Sequence, residues 1–155
     1  LQEKKITFEI LKSKGNKESK SQMERELKLM LIDDDEDDRE LFLIALEGMD
    51  TSCDCVTVAS CREALVMLNK GEFLPDFIFL DLNMPQLNGR ECLCEMKKSP
   101  TLSLIPVIIF STSSERHDIE DTRAGGAIGF ITKPSKTSEL STILDLFFKE
   151  QLQKK

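Results

Sequence analysis

The sequence predicts an α/β fold, a doubly wound five-stranded parallel sheet with helices on both faces. Three observations carry that prediction. From Leu27 onward, apolar runs of strand length alternate with segments of helical period, five times over. The central run, Phe77-Ile78-Phe79-Leu80, is wholly apolar, as suits a strand buried on both faces in a parallel sheet. With 155 residues, 40% hydrophobic and 32% charged, the chain is long enough for one domain with a sizeable core.

Residues 1–26 stand apart as a leader. Their middle, Lys12 to Lys20, is rich in Lys, Ser, Gly and Asn and reads as a linker. Ile6–Ile10 alternates and is a candidate short strand, and Met23 is a candidate natural start. The folded domain is expected over 27–155. Leu27–Ile32 is its first strand, followed by six consecutive acids and a helix to about Gly48. Asp35 or a neighbour caps that helix, and acids in its first turn suit the helix dipole. Cys53–Ala59 is the second strand; Ser60 caps a helix to Asn69 that Gly71 closes. Asp76–Asp81 is the third strand, and Asn88-Gly89 opens a helix to about Lys98. Pro106–Phe110 is the fourth, with Ser113 or Ser114 capping a helix that stops at Gly125-Gly126. Ile128–Thr132 is the fifth. Ser135 starts the last helix, whose Leu140, Ile143, Leu144 and Phe147 make one apolar face.

The net charge of −7 is unevenly spread, with +3 over residues 1–28 and −10 over the remainder. An acidic body repels phosphates and argues against nucleic acid as a direct partner. No apolar run reaches the roughly 20 residues of a membrane span, and no secretory signal is visible. Five cysteines, an odd number, point to a reducing, cytoplasmic setting rather than a disulfide framework. Cys92 and Cys94 fall on nearly opposite sides of a helix, and Cys53 and Cys55 share a strand face without a third ligand. All are read as core thiols rather than metal ligands. His117, the single histidine, lies among charged residues and reads as an exposed helix position.

In a parallel sheet all carboxyl ends share an edge, where such folds bind ligands. Asp33 and Asp34 end strand one, Asp81 strand three, Ser111 strand four, and Lys133 follows strand five. Each alone has a bland reading as a capping acid, turn residue or surface lysine. Together they assemble a site if their strands are neighbours. Carboxylates crowded at one point repel each other unless a cation sits among them, and hard oxygen ligands select Mg²⁺ or Mn²⁺. Asp81 is then a plausible nucleophile toward phosphorus. Lys133 and the Ser111 hydroxyl can meet the phosphoryl oxygens. No glycine loop for nucleotide phosphates is present, so the donor comes from outside.

The acid pair, Asp81-Leu-Asn-Met-Pro, Ser111 after an apolar strand, and Lys133-Pro134 resemble the receiver domain of two-component response regulators. The resemblance covers Leu27 to the end and implies a flavodoxin-like strand order, 2-1-3-4-5. It implies phosphoryl transfer to Asp81 from a histidine kinase or a histidine phosphotransfer protein. Mg²⁺ (or Mn²⁺) would be held by Asp34, Asp81 and the backbone carbonyl of Asn83, with Asp33 acting through water. Ser111 and Phe130 occupy the family's switch positions; Phe130 lacks the hydroxyl that the family's usual Tyr carries. A partner surface is implied at about 114–124 and 130–148, with a cis bond at Lys133-Pro134 and no output domain after the fifth helix. Two alternatives come from other classes. A degenerate receiver would act as an unphosphorylated binding module. An Asp-nucleophile, Mg-dependent phosphatase would want an acid/base Asp where this chain has Asn83. A flavodoxin-like electron carrier is disfavoured by the acids of Asp33–Asp38 at its phosphate loop.

Overall fold

The apolar runs fold as the strands of one sheet, in a computed structural model that describes residues 25–154. The candidate strand at Ile6–Ile10 lies outside the described residues. The elements are β1 (Leu27–Ile32), α1 (Glu36–Glu47), β2 (Cys53–Val58), α2 (Cys61–Lys70), β3 (Phe77–Leu80), α3 (Gly89–Lys98), a 3₁₀ turn (Leu102–Leu104), β4 (Val107–Ser111), α4 (Arg116–Ala124), β5 (Gly129–Thr132) and α5 (Thr137–Gln153). The sheet order is β2-β1-β3-β4-β5, as the resemblance implies. β3 pairs in parallel with β1 and β4, and β4 with β5.

The chain divides into two compact units. One comprises Lys28–Arg39 and Cys55–Lys133. Its core joins Met30 and Ile32, Ile78 and Leu80, and Val107 and Ile109 to Cys61, Ala64 and Leu68 of α2 and Cys92, Leu93 and Met96 of α3. The alternate strand residues Leu29, Leu31, Phe77, Phe79 and Ile108 are buried as well, so neither face of the three central strands meets water. That is why β3 and β4 read as unbroken apolar runs, with every residue buried. The other unit comprises Glu40–Asp54 and the segment from Pro134. Within it the Ser141 hydroxyl donates to the Ala45 carbonyl at 2.6 Å, beside Gly48, where a Cβ would lie 2.9 Å from Ser141 Oγ. The buried stripe of α5 is Leu140, Leu144 and Phe148, spaced i, i+4, i+8; Ile143 and Phe147 flank it half-buried.

Several caps fall where expected. Asp35 Oδ1 accepts the Asp38 N–H at 3.2 Å, Ser60 caps α2, and Gly71 closes it at φ 72°. Asn88 and Glu91 form a reciprocal capping box on α3. Two do not. α4 begins at Arg116 after Glu115, because the Ser113 hydroxyl accepts from the Glu115 N–H, one step ahead of the helix, and donates to Asp118. α5 begins at Thr137 after Lys136, with no side-chain cap, rather than at Ser135.

Two further expectations are corrected. Cys61 and Cys92 form a disulfide, with Cα atoms 5.9 Å apart, in the ordinary range for a bridge. The pair sits 31 residues apart, and only the packing of α2 and α3 into one core brings the two thiols together. The Lys133-Pro134 bond is trans, like every described peptide bond. Trans is the intrinsic preference at X–Pro, and the long lysine stem reaches the sheet edge from it.

Candidate functional site

Register explains why the candidate side chains meet. Ile32 pairs with Leu80, so the next residues, Asp33 and Asp81, leave adjacent strands side by side. Ser111 pairs with Thr132, and the Lys133 N–H donates to the Ser111 carbonyl at 2.7 Å, which aims the lysine back across the edge. Gly89 brings the start of α3 against the same place. Its N–H donates to the Leu82 carbonyl at 2.9 Å, and a Cβ there would sit 2.3 Å from the Asp81 carbonyl oxygen. No other residue fits so close an approach.

The carboxylates of Asp33, Asp34 and Asp81 offer oxygens within 4.8 Å of one another, close enough to share one divalent cation. Asp33 is fully buried, Asp81 is 5% exposed and Asp34 is exposed. Lys133 Nζ donates to Asp33 Oδ2 at 2.8 Å and to Asp38 Oδ2 at 2.7 Å, and stands 3.6 Å from Asp81 Oδ1. It also lies 5.4 Å from the centre of the Phe110 ring. Asp33 spends its other oxygen on the Asp35 N–H at 3.0 Å.

The electrostatics follow from burial. Asp81 is pushed up to about 6, by burial first and by the charge of Asp33 second; Lys133 and the Asn83 N–H pull the other way. Burial likewise raises Asp33 against its hydrogen bond to Lys133. Burial pulls the Lys133 ammonium down, but its bonds to Asp33 and Asp38 and the nearby charges outweigh it and hold the group above its ordinary value. A lysine that stays charged among carboxylates is the counterion of this site.

Ser111 is fully buried at the end of β4, and its hydroxyl accepts the Ser113 N–H at 3.2 Å. Asn83 is exposed and meets the site through its backbone. Phe130, paired with Ile109 across β4 and β5, is half-buried. It lines a cavity of about 40 Å³ with Ile119, Thr122, Arg123 and Ala127 among others. Beyond Ser113, the Asp118 carboxylate also takes Arg90 of α3 and lies 3.3 Å from the exposed His117. Sequence reasoning missed Asp38. The acid run reads as a solvated cap, and nothing local in it signals a lysine 95 positions away. It also missed the Arg90–Asp118 pair.

A family model for the response regulator receiver domain matches residues 29–145. A two-component response regulator of rice (Oryza sativa subsp. japonica), ORR13, is 35% identical over 117 residues, spanning 76% of this chain and 94% of that relative. The crystal structure of the phosphorylated cyanobacterial phytochrome response regulator RcpA superposes with a TM-score of 0.75 at 33% identity. It covers 84% of this chain and 97% of the other. The Mn²⁺-bound form of response regulator Rcp1 superposes at 0.70 with 26% identity, over 81% and 94%. With this fold and this match, the chain belongs to the response regulator receiver domain family of two-component signalling.

Proposed function

We propose that Asp81 is the phosphoacceptor of this receiver, taking its phosphoryl group from the phosphohistidine of a histidine kinase or histidine phosphotransfer protein. Receiver domains are signalling modules rather than classical enzymes, and the chemistry here is one transfer. An Asp81 carboxylate oxygen attacks phosphorus, the new O–P bond forms as the N–P bond breaks, and the electron pair leaves with the imidazole nitrogen, which is protonated. The observation that carries the reading is the buried Asp81 carboxylate beside two further carboxylates and the Lys133 ammonium, at a sheet edge. With a pKa of about 6, Asp81 is ionised, hence nucleophilic, in most molecules at neutral pH. Lys133 and the Ser111 hydroxyl neutralise and hydrogen-bond the arriving phosphoryl oxygens.

The donor set fits Mg²⁺ or Mn²⁺: Asp33, Asp34 and Asp81 offer hard oxygens, and the Asn83 carbonyl would complete the protein's share. Such an ion, when bound, compensates the charge gathered on the phosphoryl oxygens. Asp33 has both oxygens engaged, whereas Asp34 makes no hydrogen bond among the described residues. Asp34 would therefore hold such an ion directly and Asp33 would act through water.

Incubation with acetyl phosphate and Mg²⁺, followed by intact-mass measurement, tests this. The wild type gains one phosphoryl group, and Asp81→Asn gains none. Asp34→Ala raises the Mg²⁺ concentration required by about tenfold or more, and Asp33→Ala raises it less. Equal labelling of wild type and Asp81→Asn sinks the assignment.

The output runs through Ser111 and Phe130. A phosphoryl group on Asp81 draws the Ser111 hydroxyl toward it, and Phe130 turns inward from its half-buried position. That change alters the surface of α4 and β5, where a downstream protein docks. Hydrogen exchange with and without the phosphate mimic beryllofluoride reads the change. Altered protection at 129–132 supports it, and changes confined to the loops after β1 and β3 refute it. Among the described residues no helix is long and apolar enough to cross a membrane. A cytoplasmic site of action rests on receiver chemistry alone, because the Cys61–Cys92 bridge removes cysteine usage as an argument for a reducing compartment.

A further inference from the structure

Lys133 has three carboxylates within reach and touches two of them. Its Nζ is at hydrogen-bond distance from Asp38 (2.7 Å) and Asp33 (2.8 Å) and stops 3.6 Å from Asp81. Asp33 cannot leave: it is fully buried, and its second oxygen holds the Asp35 N–H. Asp38 is different. It sits in the first turn of α1 at the lip of the site, its side chain 30% exposed, held there because its own N–H donates to the Asp35 cap. Water can take over its carboxylate when the lysine departs. The lysine side chain is only 10% exposed, so its ammonium has little solvent to fall back on.

We infer that Asp38 is a positioning residue that holds Lys133 away from Asp81 in the resting site and competes with a phosphoryl group for that lysine. The inference rests on the reading of Asp81 as acceptor. Two of the ammonium's three donors, on Asp33 and Asp38, fix Nζ 3.6 Å from Asp81, so the third can meet a phosphoryl oxygen at full strength only if Nζ shifts. For Lys133 to close on a dianionic phosphoryl oxygen at Asp81, the contact with the partly exposed Asp38 is the one that lengthens. Asp38 therefore sets how tightly the site grips its phosphoryl group, a lever separate from the metal ligands and from the Ser111 hydroxyl.

The test compares Asp38→Asn with Asp37→Asn, which removes the same charge one residue away from an exposed side chain that does not contact Lys133. Beryllofluoride is titrated in saturating Mg²⁺ and followed by amide NMR; the Lys133 side-chain ammonium signal is recorded without beryllofluoride. Asp38→Asn lowers the half-saturating beryllofluoride concentration about threefold to tenfold, the scale of losing one partly exposed charged competitor. Asp37→Asn changes it by less than about twofold, a through-solvent charge effect. Asp38→Glu, which restores the carboxylate, returns most of the way to wild type. The Lys133 ammonium signal moves in Asp38→Asn and stays put in Asp37→Asn, which a purely structural role for Asp38 would not produce. If Asp38→Asn binds like Asp37→Asn or more weakly than wild type, or leaves the ammonium signal unchanged, this proposal is wrong while Asp81 remains the acceptor. If the wild type binds no beryllofluoride, the acceptor reading itself fails and this proposal falls with it.

Discussion

Ile32, Leu80 and Ile109 are fully buried in the three central strands; Asp33, Asp81 and Ser111, one or two residues further along the chain at the carboxyl ends of those strands, are buried to within 5% of that. The two sets share strands, neighbours and exposure to water, and they differ in what burial does to them. For the apolar set, removal from water is the driving force. For the carboxylates it is a cost, visible in the upward push on both Asp33 and Asp81. The same strands thus hold the fold together in their interior and carry, just past their ends, a cluster of carboxylates destabilised by burial. The receiver keeps that cluster because the folded interior over-determines where it sits.

The sharpest way to break this comparison is to mutate one member of each set. Leu80→Ala removes a fully buried side chain from the core joined by α2 and α3 and costs about 3 kcal/mol, within the roughly 2–5 kcal/mol of such truncations. Urea denaturation measures it. A loss under about 1 kcal/mol would mean that the central strand is less tightly packed than its burial indicates.

Asp81→Asn, one residue on, moves stability the other way. In the folded protein Asp81 titrates at about 6, against an ordinary 3.8. Between those values the folded state holds a proton that the unfolded chain has lost, so stability falls as pH rises through the window. The penalty is absent below about 3.8 and complete above about 6. A shift of that size corresponds to something on the order of 3 kcal/mol as an upper bound. In metal-free buffer Asp81→Asn is therefore more stable than wild type at pH 7.5 by about 1–3 kcal/mol, and the difference shrinks toward pH 4. Saturating Mg²⁺ shrinks it too, by stabilising the ionised wild-type carboxylate. Denaturation of both proteins across pH, with and without EDTA, measures the difference, in which titrating groups away from Asp81 cancel, while Asp33 and Lys133, coupled to it by charge, contribute to it. A variant less stable than wild type at pH 7.5 would contradict the reading that burial of the Asp81 carboxylate destabilises the edge.

The same contrast explains what was legible in the sequence. Interior residues announce themselves: Phe77–Leu80 is apolar because both faces are covered, and Asp81 marks the strand's end because polarity returns there. Ser60, Gly71 and the Asn88–Glu91 box act within one turn of chain, so local chemistry reveals them. What stayed hidden is non-local. Asp38 reads as one more helix-capping acid until Lys133 arrives from the far end of the sheet, 95 residues on. Cys61 and Cys92 pair through helix packing, while local spacing suggests only Cys53 with Cys55 and Cys92 with Cys94. Gly89 reads as an ordinary helix-opening glycine, yet its reason is the Asp81 backbone 2.3 Å from where a Cβ would lie. Ser113 looks like a cap because its hydroxyl does accept a backbone N–H, though one residue too early to start α4.

The smallest effect sits in the loop that leaves Asp81. Gln86 has φ 64°, the left-handed region, alone among the described non-glycine residues. An exposed Gln there costs about 1 kcal/mol or slightly more against glycine, partly offset because glycine has more freedom to lose on folding. Gln86→Gly should stabilise the protein by about 0.5–1 kcal/mol, opposite in sign to Leu80→Ala and smaller than Asp81→Asn. Labelling of Asp81 should proceed at the wild-type rate, because the loop is pinned downstream of Gln86 by the Asn88 cap and by the Gly89 N–H on the Leu82 carbonyl. That pinning holds the Asn83 backbone in place whichever residue fills position 86. A stability gain with slowed labelling would mean that the turn strain itself positions Asn83, and the edge would then owe its geometry to strain as well as to buried charge.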